Sequence, residues 1–194
     1  MTSHEQEMAR IELLEAEEEL INIRKRVTEL RRKVQSEPIP DYTLKDRDGH
    51  PVQLSSLFGD KNDLIVIHNM GKKCVYCTLW ADGFNGVWQH LEDRAGFVLV
   101  SHDDPATMKE FVESRNWQFN VLSNAGSSFA LDMGFESPDH DPFPGVSTFY
   151  RNDDGSIVRI AHTGFGPGDD FCAVWHLLDM LKDGANKWGP KYKY

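Results

Sequence analysis

Leu64-Ile65-Val66-Ile67-His68, then Met70-Gly71-Lys72-Lys73, then Cys74-Val75-Tyr76-Cys77 is the stretch that decides how this chain is read. The β-branched apolar run predicts a buried strand, and the Gly-Lys-Lys segment a loop. Thr78-Leu79-Trp80-Ala81-Asp82 then opens a helix. Two cysteines three apart at a strand-to-helix junction suit reversible disulfide chemistry. The first thiol falls at the helix N-terminus, where orphan N–H groups and the dipole favour a thiolate. Lys72 and Lys73 add positive charge beside it. The second falls in the first helical turn, within reach and better shielded. The expected roles are Cys74 as nucleophile and Cys77 as resolving thiol.

The same spacing also serves as half of a zinc knuckle. Such a site needs two more ligands, and Cys172-x-x-x-His176 offers them one turn apart on a predicted helix. A non-enzymatic zinc-stabilised module built on Cys74, Cys77, Cys172 and His176 is therefore the competing expectation. The strand ahead of Cys74 favours the redox reading, which implies no metal and no cofactor.

Composition narrows the class. A chain of 194 residues, 40% hydrophobic, suits one domain with a real core plus an appendage. A net charge of −10 argues against nucleic acid or an anionic membrane as partner, since phosphate binding needs a basic face. No apolar run is long enough to span a bilayer, and the N-terminus is charged rather than signal-like. Three cysteines do not make an extracellular disulfide framework. A cytoplasmic location is expected.

Two parts are predicted. Residues 1–36 form a long amphipathic helix, with Ser3 and Gln6 at capping-box spacing and Ser36-Glu37-Pro38 as the stop. Leu13, Ala16, Leu20, Ile23, Val27, Leu30 and Val34 alternate three and four apart, an a/d seam. That seam predicts an oligomerisation arm pairing two copies, hence a homodimer; the alternative is a helix lying on its own domain. Pro38-Ile39-Pro40 reads as a linker. Residues 37–186 alternate strand and helix: a hairpin around Asp46-Arg47-Asp48-Gly49, the strand ending at His68, and the CxxC helix to about Asp93. A strand follows at Phe97 to Ser101, a helix begins at Pro105, and another strand covers Phe119 to Leu122. Strands at Val146 to Arg151 and Ser156 to Ala161 flank Asn152-Asp153-Asp154-Gly155, and a last helix runs from Asp169, capped there, to Leu181. Residues 187–194 read as a loosely held tail. The class is α/β, a three-layer sandwich around a central mixed sheet.

The order strand, CxxC, helix, hairpin and final helix resembles the thioredoxin superfamily. The hairpin before the first core strand, with Asp48-Gly49 and Leu54-Ser55-Ser56-Leu57, resembles its peroxiredoxin-like and thiol-reductase branches. More closely, Cys74-x-x-Cys77-Thr78-Leu79-Trp80-Ala81-Asp82-Gly83-Phe84 is similar to a bacterial family of predicted dithiol-disulfide oxidoreductases, catalogued as domain of unknown function eight hundred and ninety-nine. Phe129 to Phe135 and Pro144 to Arg151 match that family too. The resemblance implies a thioredoxin-like fold and a dithiol-disulfide oxidoreductase acting on a thiol or disulfide substrate, recharged by an external thiol reductant. A peroxiredoxin-like thiol peroxidase is the alternative.

Two departures stand out. Thioredoxins carry a cis-proline before the strand facing the CxxC; that place falls near Gly145-Val146-Ser147 here, with Pro144 the nearest proline. Peroxiredoxins carry Pro-x-x-x-Thr/Ser-x-x-Cys, and Met70-Gly71-Lys72-Lys73 supplies neither the proline nor the hydroxyl. His68, six residues before Cys74, occupies the place of thioredoxin's buried carboxylate and is expected to relay a proton to the second cysteine. Tyr76, Trp80, Lys73, Pro144 and Val146 are the expected substrate-binding residues.

Overall fold

The computed structural model describes residues 2–194, and its contacts divide the chain after Ser36. The N-terminal unit is one helix, α1 (Ser3–Lys33). Its cap is one residue earlier than the Ser3/Gln6 reading: Thr2 Oγ1 accepts the Glu5 amide at 3.2 Å, and the Glu5 carboxylate accepts the Thr2 amide at 2.6 Å. Arg31, Arg32 and Lys33 close the last turn, where cations complement the dipole. None of the helix's residues is buried.

The second unit is a mixed eight-stranded sheet. Its strands are β1 (Glu37–Ile39), β2 (Thr43–Lys45), β3 (Pro51–Gln53), β4 (Asp63–Asn69), β5 (Gly96–Ser101), β6 (Asn120–Ser123), β7 (Gly145–Arg151) and β8 (Ile157–Gly164). They lie in the order β1-β8-β7-β4-β5-β6-β2-β3. β4, β5 and β6 run parallel, and β7 returns antiparallel against β4, pairing Gly145 with His68. The segment expected as a linker at Pro38-Ile39-Pro40 is instead the edge strand β1, which pairs Pro38 with Val158. An edge tolerates proline, because the missing donor faces away from the ladder.

The helices are α2 (Val75–Asn85), α3 (Trp88–Arg94), α4 (Pro105–Arg115), α5 (Phe129–Asp132) and α6 (Ala173–Asp179). The single helix expected to reach Asp93 is therefore two. Gly83 and Gly86 weaken the helix there, and Val87 leaves helical geometry at φ −129° and ψ 0°. Asp104 caps α4 by accepting the Ala106 and Thr107 amides, ahead of Pro105 at the first helical position. α6 starts at Ala173, not Asp169: the Asp169 carboxylate accepts the Gly166 amide at 3.0 Å and the Phe171 amide at 2.9 Å, holding a turn.

Strand parity sorts the core. Leu64 and Val66 of β4 face one side of the sheet, where Phe58, Phe129, Phe135 and Phe149 are buried. Ile67 faces the other side, with Ala81 of α2 and Met108 and Val112 of α4. Asp82 ties these helices together, paired with Arg115 and accepting Trp117 Nε1 at 2.8 Å. α2 and α4 cover the CxxC side, and α5 brings Phe129 to the other.

Candidate active site

The site begins where β4 ends. Asn69 is buried, and its side-chain carbonyl accepts the Gly71 amide at 2.8 Å, folding the chain back. Gly71 adopts φ +92°, and a Cβ there would lie 2.6 Å from an oxygen of Asp103, so only glycine fits. The Asp103 carboxylate, braced by the Ser101 hydroxyl, accepts the Lys72 amide at 2.6 Å. The Cys74 amide closes the turn onto the Gly71 carbonyl at 3.1 Å.

Cys74 is the N-cap of α2, and its sulfur accepts the Cys77 amide at 3.0 Å. The Cys77 thiol donates to the same sulfur, and with the Cys77 and Tyr76 amides it lowers the Cys74 pKa to about 7, against the opposing effect of burial. The lowering comes from these donors rather than from Lys72 and Lys73, both of which are exposed. Cys77 is buried, and donating to Cys74 together with desolvation drives its own pKa upward. One thiol is half-exposed and ionised near neutral pH; its neighbour is covered and protonated. Both cysteines are free.

An aromatic cluster flanks α2. Trp80 is buried, with its ring 5.3 Å from Phe165 and 6.4 Å from Trp175, and its Nε1 donates to Asp169 at 3.4 Å. Tyr76 is exposed and stacks with Trp175 at 6.1 Å. The Pro144 carbonyl accepts the Phe165 amide at 2.9 Å, and Val146 packs in the core group that includes Phe165. Tyr76, Trp80, Pro144 and Val146 are thus linked through Phe165 and Trp175, while Lys73 is exposed on the loop. No peptide bond among the described residues is cis, the one before Pro144 included.

His68 stands apart from this group. Its ring is buried, stacked on Phe135 at 3.8 Å and near Phe129, on the sheet face opposite α2. Nε2 meets the Ser147 hydroxyl at 2.9 Å, and Nδ1 has no partner. Burial, then the charge of Arg159 and His162, lowers its pKa to about 3, so it is neutral at pH 7. A relay to Cys77 has no geometric support here. On the α2 face Asn69 is a buried polar group beside Cys77, and its side-chain amide reaches the Cys77 carbonyl at 3.5 Å.

The zinc set does not assemble. Cys172 is buried with Trp80 and Trp175, and His176 Nε2 contacts the Asp169 carbonyl at 3.1 Å. Among the described residues the group of three ligand-type side chains within 4.8 Å is Asp46, Asp48 and His50, on the exposed hairpin turn. There Asp46 already accepts the Asp48 and His50 amides.

Four contributors escaped the sequence reading: Asn69, Asp103, Trp175 and Tyr192. The Tyr192 hydroxyl donates to the Lys72 carbonyl at 2.8 Å, Arg115 donates to the Tyr192 carbonyl at 2.8 Å, and Trp188 meets Trp175 edge-on at 6.2 Å. The segment read as a loose tail is held against the loop that carries Cys74. Its aromatic content was the available signal.

A strand-loop-helix carrying two adjacent thiols on a mixed sheet is thioredoxin-like in fold. The chain belongs to the family of bacterial proteins of unknown function designated DUF899, whose family model matches residues 1–194. It is 27% identical over 143 residues to a chloroplastic peroxiredoxin Q of Oryza sativa subsp. japonica, covering 73% of this chain and 65% of that protein. It is 26% identical over 144 residues to the chloroplastic peroxiredoxin Q of Sedum lineare, covering 74% and 76%. Among solved structures, peroxidoxin BcpB from Mycobacterium tuberculosis superposes with a TM-score of 0.55 at 22% identity, over 66% of this chain and 84% of that one. A peroxiredoxin-like protein from Aquifex aeolicus gives 0.52 at 19% identity, over 66% and 74%. These structures share the fold.

Proposed function

We propose that this protein is a thiol-disulfide oxidoreductase in which Cys74 is the nucleophile and Cys77 the resolving thiol. The observation that carries the reading is the asymmetry of the pair: Cys74 at a helix N-cap with its pKa lowered to about 7, Cys77 buried with its pKa raised. A pKa near ambient pH is where thiolate fraction and nucleophilicity combine best.

In the forward half-reaction the Cys74 thiolate attacks one sulfur of a substrate disulfide. The S–S bond breaks, the far sulfur leaves as thiolate and takes a proton, and a mixed disulfide remains on Cys74. With Cys74 now neutral, Cys77 no longer donates to a negative sulfur and loses its proton more readily. Its thiolate attacks Cys74 Sγ, expelling the second substrate thiol. The substrate gains two electrons, Cys74–Cys77 becomes a disulfide, and an external dithiol reduces it again. Tyr76, on the exposed side of the pair, is a surface the substrate meets.

A second reading follows from the likeness to peroxiredoxin Q. A hydroperoxide would be attacked at oxygen, giving a Cys74 sulfenic acid and water or alcohol. Cys77 would then condense with it, forming the same disulfide and releasing water. The Met70-Gly71-Lys72-Lys73 loop lacks the proline and hydroxyl that peroxiredoxins place before the cysteine.

Both readings require Cys74. Stopped-flow reduction of a small aromatic disulfide and of hydrogen peroxide by the dithiol protein should show the first fast and the second slow. Cys77→Ser should accumulate a mixed disulfide visible as a mass adduct on Cys74. A faster peroxide reaction would exchange the two readings, and a wild type inert to both would end them.

A further inference from the structure

α1 carries the most regular pattern in the chain. Taking Leu13, Leu20, Val27 and Val34 as heptad a positions makes Ala9, Ala16, Ile23 and Leu30 the d positions. The large members of this stripe, from Leu13 to Val34, are all exposed. An apolar seam running most of a 31-residue helix needs a partner surface.

The helix's charge identifies that partner. Between Glu5 and Glu19 lie seven glutamates against the single Arg10; between Arg24 and Lys33 lie six lysines and arginines against the single Glu29. A copy of the same helix laid antiparallel sets each acidic half on a basic half. A parallel copy sets like on like.

Heptad register sharpens the choice. Flanking g positions are Glu5, Glu12, Glu19, Arg26 and Lys33; e positions are Arg10, Glu17, Arg24 and Arg31. In a parallel pair, g meets the e position five residues on in the other copy. That gives Glu5–Arg10 and Glu19–Arg24 but also Glu12–Glu17 and Arg26–Arg31, two attractive pairs cancelled by two repulsive ones. In an antiparallel pair, g meets g and e meets e. With Leu13 opposite Leu30 and Leu20 opposite Ile23, the flanks become Glu12–Lys33, Glu19–Arg26 and Glu17–Arg24, with Arg10–Arg31 alone repulsive. The same register places Val27 against Ala16 and Val34 against Ala9, a large residue facing a small one in both layers.

We propose that α1 is the interface for a second copy of this chain, joined as an antiparallel two-helix coiled coil centred between Ile21 and Asn22. The two-fold axis passes through that centre, so every pair named above occurs twice. The proposal stands independently of the redox reading.

The test uses the full chain with a photoactivatable phenylalanine analogue in place of Glu12. Sedimentation at micromolar concentration should give a dimer, and irradiation should give an adduct of twice the chain mass whose cross-linked peptide lies between Leu30 and Val34. A monomer, an adduct within residues 9–19, or one within residues 37–194 would each overturn the proposal. A charge cycle provides a second readout. Glu12→Lys and Lys33→Glu should each raise the dimer dissociation constant by about 3- to 5-fold, from two exposed pairs turned repulsive, and the double variant should restore it. Additive losses in the double variant would overturn the antiparallel register.

Discussion

His68 and Asn69 are consecutive residues of β4, and they belong to different worlds. Asn69 faces α2, where it shapes the Gly71 turn and touches the Cys77 carbonyl. His68 faces away and lies between aromatic rings, holding one hydrogen bond to Ser147. Alternate side chains of a strand point to opposite faces, so a single residue's step moves a polar group from the chemistry to the dry core. The α2 face spends its polar groups on a turn that delivers Cys74 to a helix N-terminus. The opposite face packs that strand against Phe129, Phe135 and Phe149.

If the faces are separate in this way, damage to one should spare the other. The largest effect is expected on the dry side. Phe135→Ala removes the ring stacked on His68 and should cost about 3–5 kcal/mol of stability, as large-to-small changes in close-packed cores do. At temperatures where the variant is still folded, the pH dependence of Cys74 alkylation should keep its midpoint near 7. Denaturant unfolding and iodoacetamide kinetics on one sample measure both. A shifted midpoint would mean that the faces communicate.

The next effect concerns His68 in acid. A histidine with a pKa of about 3 when folded and about 6.5 when unfolded binds its proton more readily in the unfolded chain. Its contribution to stability is therefore full above pH 6.5 and is lost as pH falls from there toward 3. His68→Gln removes the titration and should flatten the acid limb across that window by about one proton, read from the slope of unfolding free energy against pH. An unchanged slope would place the acid sensitivity on other groups.

The fate of His68 also marks how far sequence reasoning reached. Leu64-Ile65-Val66-Ile67 and the CxxC were legible because both are local: period, apolar run and spacing are written within a dozen residues. Parity was legible too, since Leu64, Val66 and His68 share a face. Which face α2 would cover was not, because that depends on Ile67 meeting Ala81 across a crossover. β1 was read as linker for a similar reason. Its pairing with β8 joins Pro38 to Val158, and nothing near Pro38 announces the partner. The break between α2 and α3 needed Gly83 and Gly86 to act together, where each alone is tolerable in a helix. Asp103 lies 31 residues from Lys72, and only the folded turn brings it under the Lys72 amide.

The smallest expected effect lies at the C-terminal segment, on the α2 side. Tyr192 reaches the active loop through a single hydrogen bond to the Lys72 carbonyl, while its ring rests edge-on against Phe111 at 6.3 Å. Its phenol pKa is raised by burial first and then by the negative charge of Cys74, Cys77 and Asp103, which places it within the field of the reactive thiolate. Tyr192→Phe keeps the ring and removes only the donor. Losing one hydrogen bond worth about 0.5–1 kcal/mol frees the Lys72 carbonyl and loosens the turn ahead of Cys74. Alkylation of Cys74 should accelerate by about 2- to 5-fold on that basis, with stability nearly unchanged. Tyr192→Ala, which also removes the contact with Phe111, should accelerate it further. Equal rates in wild type and both variants would show that the segment rests on the loop without restraining it, and that Asn69 and Asp103 alone set the position of the thiol.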